Sequence, residues 1–173
     1  MKTNTKKIAV SAILSAVSVA VMYIGCLTPL DYTAIAMASM AVVFAVIELN
    51  GKYPLLIYAV TSILSLLLLP NKASALLYTM FFGFYPMFKE MFERRHYVVA
   101  WILKFSLFNT CLLLLITISV YVLHLEDTGL AMQIPVILLG NIAFLLCDIA
   151  FSQMITLYLV KLRKKLKLKN YFE

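Results

Sequence analysis

Six long apolar stretches, separated by short gaps, fill most of the chain and restrict what it can fold into. A stretch of about 20 predominantly apolar residues is long enough to cross a bilayer as a helix, and hydropathy identifies such spans. We place the spans at residues 8–27, 33–49, 54–69, 73–88, 98–123 and 131–160. The sequence therefore predicts an all-α polytopic membrane protein, with six transmembrane helices in a single domain over residues 1–173.

The positively charged residues predict the orientation of these spans. Six spans put both termini on one side, and that side holds thirteen of the fifteen Lys and Arg residues, whereas the opposite side holds only Lys72. The thirteen are Lys2, Lys6, Lys7, Lys52, Lys89, Arg94, Arg95, Lys161, Arg163, Lys164, Lys165, Lys167 and Lys169. Because cytoplasmic segments carry an excess of Lys and Arg, we expect a cell-membrane protein with both termini in the cytoplasm.

The composition and the missing motifs exclude several function classes. Hydrophobic residues make up 64% of the chain and charged residues 13%, which leaves too little polar surface for a soluble globule. The sequence has no phosphate-binding loop, dinucleotide glycine fingerprint, His-Glu-x-x-His zinc motif or Ser-His-Asp set. Its three cysteines have no metal-type spacing. We therefore expect no enzyme activity, no cofactor and no metal site.

The first span carries small residues along one side. They recur at helical spacing and are Ala9, Ala12, Ala16 and Ala20, with Ser11, Ser15 and Ser18 nearby. A face without bulky side chains lets another helix approach closely. This pattern fits either packing inside the protein's own bundle or a docking strip for a separate membrane subunit.

With this helix, a basic N-terminal stub and a basic C-terminal tail, the chain resembles the substrate-binding S components of energy-coupling factor transporters along its whole length. Those proteins capture vitamins and other micronutrients in prokaryotes. Ala12 and Ala16 match the family's Ala-x-x-x-Ala motif, and Ala20 extends it. The resemblance implies that these alanines contact a transmembrane coupling subunit, that separate ATPase subunits supply the energy, and that a small solute binds near the extracellular side. No signature of a particular vitamin class accompanies the motif.

Two charged residues lie inside the predicted spans, where a charge costs about 2.5 to 3.5 kcal/mol on insertion scales. Asp148 lies near the middle of the sixth span, roughly 15 Å from its cytoplasmic end at about 1.5 Å per residue. Lys104 lies in the fifth span, roughly 9 Å from the same side by the same rise. We predict an ion pair between them, with snorkelling of Lys104 to the headgroups as the alternative. Asp148 fits a structural role and contact with a solute equally well.

Other polar residues in or beside the spans are candidates for a solute pocket. These candidates are Asn71, Lys72, Tyr78, Asn109, Gln133 and Asn141, and Asp148 is included with them. Together they would be the polar groups of an otherwise aromatic and aliphatic cavity. For each residue the alternative is an interhelical hydrogen bond or an interfacial anchor.

The cytoplasmic segments have their own predicted roles. Pro86 predicts a kink in the fourth span, and residues 89–95 are typical of a solvated loop with local charge pairing. The basic tail at residues 161–169 suits anionic lipid headgroups. Nucleic-acid binding is not expected, because no recognition motif accompanies the basic residues.

Two further function classes compete with solute uptake. A structural or scaffold protein of envelope assembly, similar to the rod-shape-determining membrane subunit of bacteria, would use the same helix faces for partners and need no pocket. An intramembrane enzyme is disfavoured, because no pair of ionisable side chains has a catalytic arrangement.

Overall fold

The computed structural model describes residues 2–49, 51–121 and 129–162, and over these residues the protein is helical and contains no strand. The helices are α1 (Lys2–Cys26), α2 (Asp31–Phe44), α3 (Tyr53–Leu68), α4 (Lys72–Leu77), α5 (Tyr85–Glu93), α6 (Tyr97–Tyr121) and α7 (Gly129–Leu157). Short π-helical segments follow α2, α4 and α7, at Ala45–Leu49, Tyr78–Phe82 and Tyr158–Leu162. The all-α class predicted from the sequence is confirmed for this part of the chain.

Among the described residues, four helical stretches are long and apolar enough to cross a membrane. They are Asn4–Cys26, Asp31–Leu49, Tyr97–Ile118 and Ile137–Lys161. They coincide with the predicted first, second, fifth and sixth spans. Large side chains on them are exposed, including Ile13, Ile102 and Leu138, as expected for helix faces in contact with lipid. The chain therefore has the character of a membrane protein.

The third and fourth predicted spans have shorter helices. Helix α3 has 16 residues, about 24 Å at the usual rise per residue, against a hydrocarbon core of roughly 30 Å. The predicted span at residues 73–88 is not one continuous helix, because α4 has only six residues and the chain turns at residues 83 and 84.

The fourth span is interrupted at residues 83 and 84, just before Pro86, on the side where a proline disturbs the preceding helical turn, as the prediction of a kink at Pro86 requires. Pro86 is the second residue of α5, in the first turn of a helix, where proline is tolerated because its missing N–H has no partner to lose. Gly83 lies against the ring of Tyr58, and a Cβ atom there would be 2.6 Å from a ring carbon. Gly83 thus packs closely against Tyr58 at the point where the helix stops.

The chain divides into two compact units. The first unit comprises Met1–Phe88 with Ile155–Glu173, and the second comprises Lys89–Met154. In the first unit α1 packs against α2 and α3. The approach of α1 to α2 is close, since a Cβ atom at Gly25 would lie 2.2 Å from the Cβ atom of Ala34. Small residues therefore bring these two helices together.

The second unit is built mainly on α6 and α7, which pack through aromatic rings. Phe108 stacks on Phe144 with ring centroids 4.6 Å apart, and Phe105 meets the same ring edge-on at 5.5 Å. Such ring pairs contribute about 0.5 to 1.5 kcal/mol beyond the area that they bury. This contact holds α6 and α7 side by side and brings their polar residues within reach of one another.

Candidate functional site

Asp148 is the centre of a buried charge cluster in the second unit. Its Oδ2 atom accepts a hydrogen bond of 2.9 Å from the Nζ atom of Lys104, and its Oδ1 atom accepts one from Lys89. Only 2% of Asp148, 2% of Lys89 and 4% of Lys104 is exposed. The structure thus brings together the two residues proposed as an ion pair and adds Lys89 as a third member.

Glu93 completes the cluster from the C-terminal end of α5. Its Oε1 atom lies 2.8 Å from the ammonium group of Lys89 and 2.9 Å from that of Lys104. Each lysine therefore contacts both carboxylates, and the four charges alternate in sign around a ring. Lys89 also donates to the hydroxyl of Ser152 at 2.9 Å. The ring has no net charge, and each charge has partners of opposite sign. Such pairing offsets the cost of removing the charges from water, so the ions can be buried in a low-dielectric interior.

The prediction of a solvated loop at residues 89–95 is wrong for Lys89 and Glu93. Lys89 is buried, and both residues belong to α5, which continues past Pro86. The spacing of four residues between Lys89 and Glu93 was a usable signal, since residues at that spacing lie on one helix face. Arg94 and Glu90 do form an exposed pair of the predicted kind, at 2.6 Å.

Glu93 lies outside the candidate spans, as Lys89 does, but it is the more exposed of the two, with 47% of its side chain exposed. Its partial burial by itself would raise the carboxyl pKa, but the hydrogen bonds and positive charges of Lys89 and Lys104 outweigh that effect. The pKa of Glu93 is therefore lowered from its ordinary value. The cluster holds Glu93 ionised at neutral pH.

A cavity of about 430 Å³ opens beside the cluster. Lys104 and Asp148 line its inner part, and Arg95, Tyr97 and Trp101 are among the other residues around it. The ring of Trp101 lies 5.2 Å from the Nζ atom of Lys104, a cation–π distance. Charged, amide and aromatic side chains thus surround one open space within the second unit.

Asn109 and Asn141 contact each other between α6 and α7. The Nδ2 atom of Asn109 donates to Oδ1 of Asn141 at 2.9 Å, and Nδ2 of Asn141 donates to Oδ1 of Asn109 at 3.0 Å. Each amide also donates to a carbonyl of its own helix, at Phe105 and Ile137. All four amide protons are therefore engaged, and the pair acts as an interhelical clamp.

Asn71 and Lys72 are engaged at the start of α4 in the first unit. Asn71 caps this helix by accepting from the backbone N–H groups of Ala73 and Ser74, and its Nδ2 atom donates to Asp31 at 2.8 Å. Lys72 donates to the carbonyl of Leu66 at 2.8 Å. Asn71 thus has a helix-capping role, of the kind in which Asn is strongly preferred.

Tyr78 differs from these residues because its buried hydroxyl, which has the Thr61 hydroxyl nearby, makes no hydrogen bond of ordinary geometry in the described part of the chain. The Tyr78 side chain has no exposed surface, and its OH atom makes no hydrogen bond within the described part of the chain. The same holds for the hydroxyls of Thr61 and Ser62 on α3. Tyr78 also begins a π-helical segment, a feature frequent at functional sites. Thr61 and Ser62 did not stand out in the sequence, where single hydroxyl residues are common in apolar helices.

The predicted pocket residues are divided between the two units. Asn71, Lys72 and Tyr78 belong to the first unit, and Asn109, Asn141 and Asp148 to the second. The prediction for Gln133 concerns a side chain outside the described ones, and so does most of the basic tail predicted to bind lipid. Within the second unit, the structure brings together Asn109 with Asn141 and Lys104 with Asp148.

The small residues of α1 point in two different directions. Ser11, Ser15 and Ser18 are buried, with 0%, 1% and 2% of their surface exposed. The alanines Ala9, Ala12, Ala16 and Ala20 are exposed. The serines therefore serve packing inside the first unit, and the alanine face of α1 remains uncovered.

Comparisons of the chain with protein-family models, curated proteins and solved structures find no significant match.

Proposed function

We propose that this protein is the membrane-embedded substrate-binding subunit of a micronutrient uptake system, similar to the S components of energy-coupling factor transporters. It spans the membrane six times with both termini in the cytoplasm. Separate transmembrane coupling and ATPase subunits energise it, and it has no catalytic activity of its own. The first and second spans, the fifth and the sixth have helices of sufficient length, which supports this topology.

The alanine face of α1, formed by Ala9, Ala12, Ala16 and Ala20, is the observation that carries the proposal. These residues are exposed on a helix whose serine side is buried. A flat face of small residues on a spanning helix favours close contact with another helix. Because no described helix of the first unit covers it, the face suits the coupling subunit.

The buried hydroxyls of Tyr78, Thr61 and Ser62 are the groups in the first unit best suited to bind a solute. A buried polar group without a partner costs about 1 to 3 kcal/mol, and a solute with hydroxyl or carbonyl groups would remove that cost. The other amide and lysine candidates already have hydrogen-bond partners within the protein, so we assign them a structural role. They are Asn71, Lys72, Asn109 and Asn141. We assign Asp148 and Lys104 a structural role for the same reason.

The coupling proposal is tested by purifying the protein gently from its own membranes and identifying its partners by native mass spectrometry. We expect coupling and ATPase subunits to co-purify with the wild type and to be lost in Ala16→Phe. Ile13→Phe is the matched control, since Ile13 is exposed on the same helix about 60° from Ala16 at 100° per residue. Recovery of envelope-assembly proteins instead would favour the scaffold alternative.

Native mass spectrometry of the same purified protein also tests the proposed solute site at Tyr78. We expect a small molecule to be retained by the wild type and lost in Tyr78→Phe, while the protein stays folded. Tyr58→Phe is the control, because the Tyr58 hydroxyl already donates to the carbonyl of Thr79 at 3.0 Å. Equal retention by Tyr78→Phe and the wild type would reject Tyr78 as a binding residue.

A further inference from the structure

The cavity of the second unit lies at the boundary of a candidate membrane span. Tyr97 is the first residue of that span, and Tyr97, Trp101 and Arg95 line the cavity. Tyr and Trp are enriched where a membrane protein meets the headgroup layer, because their rings are apolar and their polar atoms stay hydrated. The cavity therefore opens at the depth of lipid headgroups.

The ring of paired charges beside this cavity is neutral, and the lining has one positive charge outside that ring. Lys89 and Lys104 are balanced by Asp148 and Glu93, as described above, which leaves Arg95 as the additional charge on the lining. Arg95 makes no ion pair within the part of the chain that the structure describes, whereas its neighbour Arg94 pairs with Glu90. A guanidinium group presents several donors in a fork that matches the oxygens of a phosphate group.

The lining continues into an exposed apolar surface on α6. Of Tyr97, Val98 and Ile102, 73%, 56% and 63% respectively is exposed. A soluble phosphate would gain nothing from this surface, but the acyl chains of a phospholipid would lie along it. Basic pockets beside spanning helices on the cytoplasmic side bind anionic headgroups.

We propose that this cavity is a binding site for an anionic phospholipid. The phosphate group lies at Arg95, supported by the ammonium group of Lys104, and the acyl chains run along the exposed face of α6. The site is separate from the basic C-terminal tail. It requires that the protein be embedded in a membrane, but it does not depend on the proposed role in solute uptake.

Trp101 offers a direct readout, because it is the only tryptophan in the chain. The protein is reconstituted in vesicles containing phosphatidylcholine and phosphatidylglycerol, with bromine on the acyl chains of one lipid at a time. Bromine quenches tryptophan fluorescence at short range. We expect brominated phosphatidylglycerol to quench Trp101 several-fold more effectively, mole for mole, than brominated phosphatidylcholine. Equal quenching of the wild-type protein by the two lipids would overturn the proposal.

Two arginine variants identify the residue responsible. Arg95→Gln should lower the preference for phosphatidylglycerol about fivefold, the size expected for one basic residue near an anionic surface. Arg94→Gln removes the same charge one residue away and should keep the wild-type preference. An equal loss in both variants would mean general attraction to a negative surface and would reject the site. Arg95→Lys, which keeps the charge, should retain part of the preference.

Inorganic phosphate distinguishes the lipid from a soluble ligand of the same chemistry. Adding it at constant ionic strength should leave the quenching by brominated phosphatidylglycerol unchanged relative to chloride. Specific loss of quenching would assign the cavity to a soluble phosphate and overturn the lipid assignment.

Discussion

The two units of the protein differ in whether their buried polar groups have partners. The second unit buries Asp148, Lys89 and Lys104, and each of these charges has partners. The first unit buries Glu48, which accepts a hydrogen bond from Tyr158 at 3.1 Å. It also contains the buried polar atoms that lack a hydrogen bond within the described residues, which are one oxygen of Asp31 and the hydroxyls of Tyr78, Thr61 and Ser62. A charge in a low-dielectric interior must be paired, whereas a hydroxyl without a partner is tolerable when a ligand can bind it. The first unit is therefore the better candidate for solute binding.

Removing the negative charge of Asp148 should lower the stability of the protein more than the other substitutions described below. Asp148→Asn leaves two buried ammonium groups with Glu93 as the remaining carboxylate, so we expect a loss of about 3 to 5 kcal/mol in the free energy of unfolding. Unfolding in a detergent titration measures it. Glu90→Gln, at the exposed pair with Arg94, should cost less than about 1 kcal/mol. A loss in Asp148→Asn as small as that of the control would mean that the ring of charges does not hold the second unit together.

The amide clamp formed by Asn109 and Asn141 should contribute less to stability than Asp148 does. A double-mutant cycle with Asn109→Ala and Asn141→Ala should give a coupling energy of about 0.6 to 1.7 kcal/mol, the range for hydrogen bonds between membrane helices. Thr110→Val is the control, because the Thr110 hydroxyl bonds only its own helix at Ser106 in the described contacts. Additive effects of the two asparagine substitutions would show that the amides do not depend on each other.

Glu93 should make the stability of the second unit sensitive to acid. Its pKa is lowered in the folded protein by the two lysines, so its stabilising effect is present above the ordinary Glu pKa and is lost as the pH falls through the lowered value. Melting temperatures measured from pH 7 downward should therefore fall less steeply in Glu93→Gln than in the wild type. Glu90→Gln should follow the wild-type curve, and an unchanged slope in Glu93→Gln would contradict the pairing.

The unpartnered hydroxyls should show the smallest effect of all. Tyr78→Phe and Thr61→Val remove groups that make no hydrogen bond, so the free energy of unfolding without solute should stay equal or rise slightly. Tyr58→Phe removes a bonded hydroxyl and should cost about 1 kcal/mol. A loss of that size in Tyr78→Phe would reveal a hydrogen bond at Tyr78 and weaken the contrast between the units.

The positions of the four long apolar helices could be predicted from the sequence because apolar length is a local property. The proximity of Lys104 and Asp148 also followed from counting residues along two helices. The inclusion of Lys89 could not be predicted in the same way, because it depends on whether the chain stays helical beyond Pro86. Its inclusion also depends on the tertiary packing that brings α5 beside α6 and α7, where Lys89 contacts Asp148. Tertiary packing likewise decides which side of α1 is buried.

The alternating ring of charges has a consequence for how the chain is made. Lys104 precedes its partner Asp148 by 44 residues, which at roughly 5 to 20 residues per second corresponds to about 2 to 9 s of synthesis. During that interval Lys89, Glu93 and Lys104 exist together with an excess positive charge. The synthesis of α7 supplies Asp148 and neutralises this charge, so the ring of charges closes only once the last long helix of the described chain has been made.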